Sequence, residues 1–177
     1  GLQYRMGTSG GWTPYTIDTV LTLTNVGDVV QFQNTLEELS TSNSDFVQFV
    51  MTGTIAASGN IMSMLNYIDE CKSYCYMYMF TGCTSLTVAP ELPATTLAYG
   101  CYGTMFYGCS NLTKAPTILP ATTLADYCYS SMFQNCSSLT SAPELPATTL
   151  ADYCYSSMFN GCTSLVNAPE LPATTLG

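Results

Sequence analysis

Residues 76–97 read YMYMFTGCTSLTVAPELPATTL, and three further versions of this stretch follow downstream. Its Met-Phe pair marks the register, because the pair returns at intervals of 26, 27 and 26 residues: Met79-Phe80, Met105-Phe106, Met132-Phe133 and Met158-Phe159. The one extra residue lies between Pro116 and Pro120. Repetition at this period is typical of architectures in which each unit buries its apolar face against the next unit.

Each unit contains signals for a short helix and a short strand. In the third copy Leu124, Cys128 and Met132 are spaced by four, which predicts one apolar helix face. Four residues share the position where this stripe stops and fit a left-handed cap: Gly82, Gly108, Asn135 and Gly161. A Cys-x-x-Leu-x-x-Ala segment then predicts a strand of about three to four residues, and prolines turn the chain. The expected fold is an α/β repeat, a right-handed leucine-rich-repeat-type solenoid of short parallel strands and short helices.

The first part of the chain has a different pattern. Four β-rich segments at residues 12–17, 19–24, 29–33 and 46–51 are separated by turn signals, which predicts a small antiparallel β-sandwich. The polar stretch 35–45 is expected to be an exposed loop. The expected organisation is a β-rich N-terminal cap domain over residues 1–58 and the repeat array over residues 59–177. That array would hold a degenerate first coil and four copies of the unit, with no cap at its C-terminal end.

Composition excludes several functions. Twelve acidic residues face three basic ones, and the net charge of −9 repels phosphate backbones, so we expect no nucleic-acid partner. No apolar run approaches the roughly 18 residues that a membrane helix needs, so we expect no direct membrane insertion of this chain.

Eight of the nine cysteines fall into two columns, each with one cysteine per copy: Cys75, Cys101, Cys128 and Cys154, then Cys83, Cys109, Cys136 and Cys162. Zinc ligands are usually two to four residues apart, whereas the two cysteines of one unit are eight apart. We expect packing ladders of reduced cysteine, with bridges between copies and a metal site as alternatives. Cys71 belongs to neither column.

The chain has no histidine, which excludes Ser/His and Cys/His nucleophilic arrangements. Carboxylates do share repeat positions, as Asp126 and Asp152 do and as Glu144 and Glu170 do, but stacked repeats create such pairs automatically. We therefore expect no enzyme, no catalytic residue, no cofactor and no metal site.

Tyrosines form a more specific pattern. One column contains Tyr76, Tyr102, Tyr129 and Tyr155, and a second lies two residues earlier, at Tyr74, Tyr127 and Tyr153. Residues two apart on a helix face different sides, so one column should point inward and the other outward. An exposed column would suit contact with glycans or proteins, or would only cover the surface.

The combination Tyr-x-x-Met-Phe-x-Gly-Cys-x-Ser-Leu with Ala-Pro-Glu-Leu-Pro-Ala-Thr-Thr-Leu resembles the BspA-like leucine-rich-repeat surface proteins of anaerobic gut and oral bacteria. The resemblance covers residues 74–176, and residues 12–28 and 51–60 resemble the segment that precedes such arrays. It implies export, a place at the bacterial cell surface, and host matrix proteins, cell-surface proteins or glycans as partners. The uncapped end also suggests end-to-end self-association.

The leading hypothesis is an extracellular binding or adhesion module, and the alternative is a structural stalk that binds nothing. The expected binding surface comprises the strand positions at which the copies differ from one another. We name these eight residues the variable strip: Thr87, Val88, Thr113, Lys114, Thr140, Ser141, Val166 and Asn167.

Overall fold

A computed structural model describes residues 1–36, 39–66 and 70–176. Its regular elements are short: β1 Leu2–Met6, β2 Thr13–Pro14, β3 Val30–Asn34, β4 Ile55–Ala56, a 3₁₀-helix Ile61–Leu65, β5 Leu86–Val88, β6 Thr149–Leu150 and β7 Thr175–Leu176. Three small sheets result. The order β2-β1-β3 is antiparallel, whereas the pairs β4-β5 and β6-β7 are parallel.

The expected leucine-rich-repeat-type solenoid of strands and helices is wrong. Across the described ranges the chain contains no α-helix, and its one helix is the 3₁₀ segment Ile61–Leu65. Among the described residues a three-residue strand forms only in the first copy, at Leu86–Val88. Of its counterparts, the second copy makes one bridge, from Lys114 to Val88, and residues 139–141 and 165–167 make none. Most of the repeat region consists of turns and extended connections.

The expected β-sandwich cap is also wrong, because β1 to β3 form a single three-stranded sheet and β4, at residues 55–56, pairs with β5 of the first copy. Strand β3 matches the predicted segment 29–33 and β2 lies inside 12–17, but residues 19–24 and 46–51 form no strand. The central strand β1 was not predicted, although it pairs with β3 over all five of its residues. The predicted loop 35–45 includes Glu37 and Glu38, which lie outside the described residues.

A run of tight turns occupies the place of each predicted helix. In the first copy, alternate amides donate to the carbonyl three residues back, as Met77 does to Tyr74 at 3.0 Å and Thr81 to Tyr78 at 2.9 Å. An α-helix would need bonds to the residue four back. The backbone explains the difference, since every fourth residue of the run has a positive φ.

These left-handed residues recur in three columns, with φ between 52° and 78°: Tyr74, Gly100, Tyr127 and Tyr153; Tyr78, Thr104, Ser131 and Ser157; Gly82, Gly108, Asn135 and Gly161. The left-handed conformation predicted for the third column is confirmed, but the helix it was to cap is absent. Side chains other than Gly cost about 1–2 kcal/mol each in this region. The copies must supply compensating interactions.

Hydrogen bonds between copies provide that compensation. The amides not used within the turns donate to the next copy, for example Tyr76 to the carbonyl of Cys101 at 2.9 Å and Phe80 to that of Met105 at 2.9 Å. All bonds of this kind in the turn run point the same way, from an amide in one copy to a carbonyl in the following copy. Alternate amides of the run are thus hydrogen-bonded within a turn, and the amides between them are hydrogen-bonded to the next copy.

Aromatic rings stack in register through the core. Phe80 and Phe106 lie 5.4 Å apart and within 3° of parallel, and Phe106 and Phe133 lie 5.4 Å apart and within 4°. Phe49, from the segment before the array, extends this ladder by stacking on Phe80 at 5.3 Å. Buried residues of every copy, together with Ile61 to Leu65, form one continuous hydrophobic core.

Candidate functional site

Two tyrosine ladders run along the stacked copies and differ in burial. The inner tyrosine ladder comprises Tyr76, Tyr102, Tyr129 and Tyr155, of which the first three are buried and the last half-buried. The outer tyrosine ladder comprises Tyr74, Tyr99, Tyr127 and Tyr153. Its members are half-buried or exposed, and Tyr153 retains 62% of its accessible surface. The predicted separation into an inward and an outward column is confirmed, although the turn run, and not a helix, produces it.

Tyr99 is the member of the outer ladder that sequence reasoning missed. The second copy has Gly100 at the position of Tyr127, so its tyrosine is displaced by one residue. The ring of Tyr99 nevertheless lies 5.4 Å from the rings of both Tyr74 and Tyr127. The adjacent residues Tyr99 and Gly100 could have indicated this, because a tyrosine next to the glycine can place its ring where the other copies have theirs.

Ring orientation also differs between the ladders. Inner rings are within 3° to 8° of parallel, so each covers the faces of its neighbours. In the outer ladder, Tyr74 and Tyr99 meet at 62° and Tyr99 and Tyr127 at 43°, whereas Tyr127 and Tyr153 stack within 17° of parallel. Rings at the two larger angles leave part of their faces uncovered.

A groove of about 120 Å³ lies beside these three rings. Gly100, Gly103 and Met77 contribute to its walls. The third and fourth copies have tyrosine in place of Gly100 and serine in place of Gly103. A Cβ added at Gly103 would lie 3.3 Å from the carbonyl oxygen of Gly100 and 3.5 Å from Cε of Met77.

Two carboxylates, those of Asp126 and Asp152, lie near Tyr127 of the outer ladder. Partial burial raises the pKa of the Tyr127 hydroxyl, and the neighbouring Tyr153, Tyr99, Asp152 and Asp126 raise it further. The two carboxylates share a repeat position, and the amide of Asp152 donates to Oδ1 of Asp126 at 3.1 Å. This carboxylate pair therefore borders the ladder and uses one oxygen in a bond between copies.

The variable strip is brought together along one row of successive copies, with Thr87 and Val88 half-buried and its other six residues exposed. Val88 bridges to Lys114, and the amide of Val166 donates to the carbonyl of Thr140 at 3.5 Å. Two hydroxyls of the strip already have partners. Thr87 donates to the carbonyl of Ile55 at 2.9 Å, and Thr113 donates to the carbonyl of Thr87 at 3.0 Å. Part of the strip thus holds copies together, and less of it is free for a ligand than was expected.

All nine cysteines are buried free thiols. In the second column each thiol donates to a carbonyl of the preceding layer, as Cys109 does to Phe80 at 3.0 Å and Cys136 to Phe106 at 3.1 Å. Burial raises the pKa of Cys83 to about 11 and that of Cys109 to about 12. The predicted packing ladders are confirmed, and in this column they also carry hydrogen bonds.

Cys71 joins the first cysteine column. Thiols of Cys101 and Cys75 are hydrogen-bonded to its sulfur, which lowers the pKa of Cys71 below its ordinary value. Burial raises the pKa of both Cys75 and Cys101. Within the part of the chain that the structure describes, no group of three or more Cys, Asp or Glu side chains is placed to hold a metal ion.

Another groove, of about 750 Å³, separates the proline corners of the third and fourth copies. Residues 142–146 and 169–172 line it, so Glu144 and Glu170 face the same open space.

Among the described residues, no helix is both long and apolar enough to cross a bilayer. No model of a protein family, no curated protein and no solved structure matches this chain.

Proposed function

We propose that this chain is a binding or adhesion module at the bacterial cell surface, which presents its stacked copies to proteins or glycans. The observation that carries the proposal is the outer tyrosine ladder. The core is already filled by the inner tyrosine ladder and by the stacked rings of Phe80, Phe106 and Phe133. The exposed rings of the outer ladder therefore add little to core packing.

The physical chemistry of tyrosine supports this role. A tyrosine ring offers a large rigid contact area together with a polar hydroxyl, and for this reason tyrosine is enriched at the energetic centres of interfaces. Four such rings recur along the stack, with adjacent centroids 4.8 to 5.4 Å apart. A partner that contacts one ring can therefore contact its neighbours, and several weak contacts add up.

Location at the cell surface is compatible with those buried cysteines whose pKa is raised. Thiolates react and neutral thiols do not, so buried cysteines with raised pKa values resist oxidation. Cys83, Cys109 and Cys128 are of this kind. An oxidising exterior would not require them to form bridges.

Protein and glycan arrays test the proposal directly. The whole chain should bind at least one class of ligand. The double variant Tyr127→Asn/Tyr153→Asn should bind at least about tenfold more weakly, because removing contacts at an interface centre costs 1 kcal/mol or more each. A second variant, Lys114→Ser/Asn167→Ser, changes the variable strip and leaves the ladder intact. Equal loss in both variants, or no binding by the unaltered chain, would contradict the proposal and favour the structural stalk.

A further inference from the structure

The groove beside Tyr74, Tyr99 and Tyr127 lies where the second copy departs from the repeat. It exists because the second copy has Gly100 and Gly103 where the third copy has Tyr127 and Ser130. A side chain at Gly103 would fill it, since an added Cβ already lies 3.5 Å from both Met77 and the carbonyl oxygen of Tyr127. Strict repetition would have closed this space, so the second copy departs from the repeat at the residues that open it.

Size limits what the groove can hold. Its volume of about 120 Å³ corresponds to roughly four water molecules at about 30 Å³ each. A trimethylammonium group has four heavy atoms and is of this size, whereas a hexose has twelve. The groove therefore suits a compact headgroup that projects from a larger ligand.

Ring orientation and charge favour a cation. Three tilted aromatic rings line one side of the groove, and tilting leaves parts of their electron-rich faces uncovered. Asp126 and Asp152 adjoin this wall without lining the groove, because the amide of Gly100 donates to the carbonyl of Asp126 at 3.0 Å and that of Tyr127 donates to the carbonyl of Asp152 at 2.9 Å. The whole chain carries a net charge of −9. Aromatic faces that attract cations, with carboxylates nearby, are the usual means of recognising quaternary ammonium groups.

We infer that the groove formed by Tyr74, Tyr99, Tyr127 and Gly103 binds a methylated ammonium headgroup. This inference rests on the proposed function, because it assigns a ligand class to the same tyrosine surface. Free choline, a phosphocholine group and a trimethylated lysine all present this quaternary ammonium chemistry.

Ligand-detected NMR with choline chloride and the whole chain tests the inference. Choline should bind saturably, and the neutral isostere dimethylbutanol, in which carbon replaces nitrogen, should bind at least about fivefold more weakly. Glucose serves as the saccharide probe. Equal binding of choline and its isostere, no saturation with choline, or preferential binding of glucose would overturn the inference.

Two variants locate the binding in the groove. Gly103→Ser introduces the residue of the third and fourth copies and should weaken choline binding at least tenfold, while Ser156→Ala, at the same repeat position outside the groove, should leave it unchanged. Tyr99→Leu keeps an apolar side chain at a partly exposed site and should also weaken binding, even if Gly103→Ser fails to fold. Unaltered choline binding in a folded Tyr99→Leu variant would overturn the assignment.

Phosphocholine and trimethyllysine, titrated separately, distinguish the source of the headgroup. Binding of either one in competition with choline supports the inference and identifies the carrier. The array experiment has an independent readout. Array binding without choline binding overturns only the ammonium assignment, and choline binding without array binding overturns only the adhesion role.

Discussion

The thiol of Cys109 donates a hydrogen bond to the carbonyl oxygen of Phe80, with 3.0 Å between sulfur and oxygen. Cys83, Cys136 and Cys162 make equivalent bonds, each to the carbonyl of a phenylalanine in the preceding layer. Cysteine recurs in this column because one small side chain fills an apolar site and donates to the carbonyl of the preceding layer.

Removing this thiol should destabilise the stack. Cys109→Ala removes one of the two donors to the carbonyl of Phe80, which still accepts from the amide of Cys83 at 3.0 Å, and creates a small cavity. The free energy of unfolding should fall by about 1–2 kcal/mol. Cys109→Ser retains a donor and should lose less. Urea unfolding of the two variants measures the difference, and a serine variant less stable than the alanine variant would contradict a hydrogen-bonding role.

Removing either of two hydroxyls from the inner tyrosine ladder should have different effects on the free energy of unfolding. The hydroxyl of Tyr129 is buried without a partner, whereas that of Tyr76 donates to the carbonyl of Ile61 at 3.1 Å. Tyr129→Phe should therefore be neutral or stabilising, and Tyr76→Phe should lose about 1 kcal/mol. Both free energies can be obtained from chemical unfolding. The same loss in both variants would mean that the Tyr129 hydroxyl has a partner.

The left-handed position at Gly82 gives a test of the turn run. Its φ is +71°, and a Cβ built there meets no atom within 4 Å, so backbone strain alone decides the effect of a substitution. Gly82→Val should cost about 1–2 kcal/mol or more, while Gly82→Asn should cost only a few tenths, because Asn tolerates this region. Asn135 already occupies the equivalent position with φ 63°. Equal stability of the two variants would argue against a left-handed residue there.

Stability should fall as the pH rises above about 9. An unfolded cysteine loses its proton near its ordinary pKa of 9.0, whereas burial holds the pKa of Cys83 at about 11 and those of Cys109 and Cys128 at about 12. Folded-state pKa values raised in this way contribute stability that is complete below pH 9 and is lost as the pH rises through 11 to 12. The buried tyrosines act in the same direction, since burial raises the pKa of Tyr76.

Unfolding free energies measured from pH 8 to pH 12 check this prediction, with Cys109→Ala expected to show a shallower decline. A stability independent of pH over this window would mean that the thiols are accessible in the folded state. Alkylation gives a second measurement. The folded chain at pH 8 should protect its nine thiols, and the unfolded chain should expose all of them.

The register of the repeat could be predicted from the sequence, but the backbone conformation of each copy could not. The columns of Cys, Met, Phe and Gly are visible because stacking repeats each side-chain environment, and the burial of Cys101, Met105 and Phe106 agrees with them. The helix was wrong because Leu124, Cys128, Met132 and Cys136 are spaced by four throughout, not by a mixture of three and four. In an α-helix, each step of four residues rotates the side chain about 40° beyond a full turn, so residues spaced only by four drift off a single helix face. A run of four-residue turns keeps the same residues on one side.

The candidate site was partly predictable for a related reason. The inward and outward tyrosines are two residues apart, and both a helix and a turn run separate such neighbours. The groove could not be predicted, because its space depends on how Tyr99 fills the position that Gly100 leaves open. Strand β1 escaped prediction because its partner β3 lies more than twenty residues away, and neither its length nor its composition indicates that pairing.

The central claim is that two tyrosine columns, two residues apart, have separate roles: the inner one stabilises the stack and the outer one is available to a partner. The most direct test is the unfolding free energy of Tyr127→Asn compared with that of Tyr129→Asn. Asn tolerates the left-handed backbone at position 127, so Tyr127→Asn should change stability by no more than about 1 kcal/mol. Tyr129→Asn should lose about 3–5 kcal/mol, because it empties a fully buried ring position within a stacked ladder. Similar losses in the two variants would contradict the division of roles.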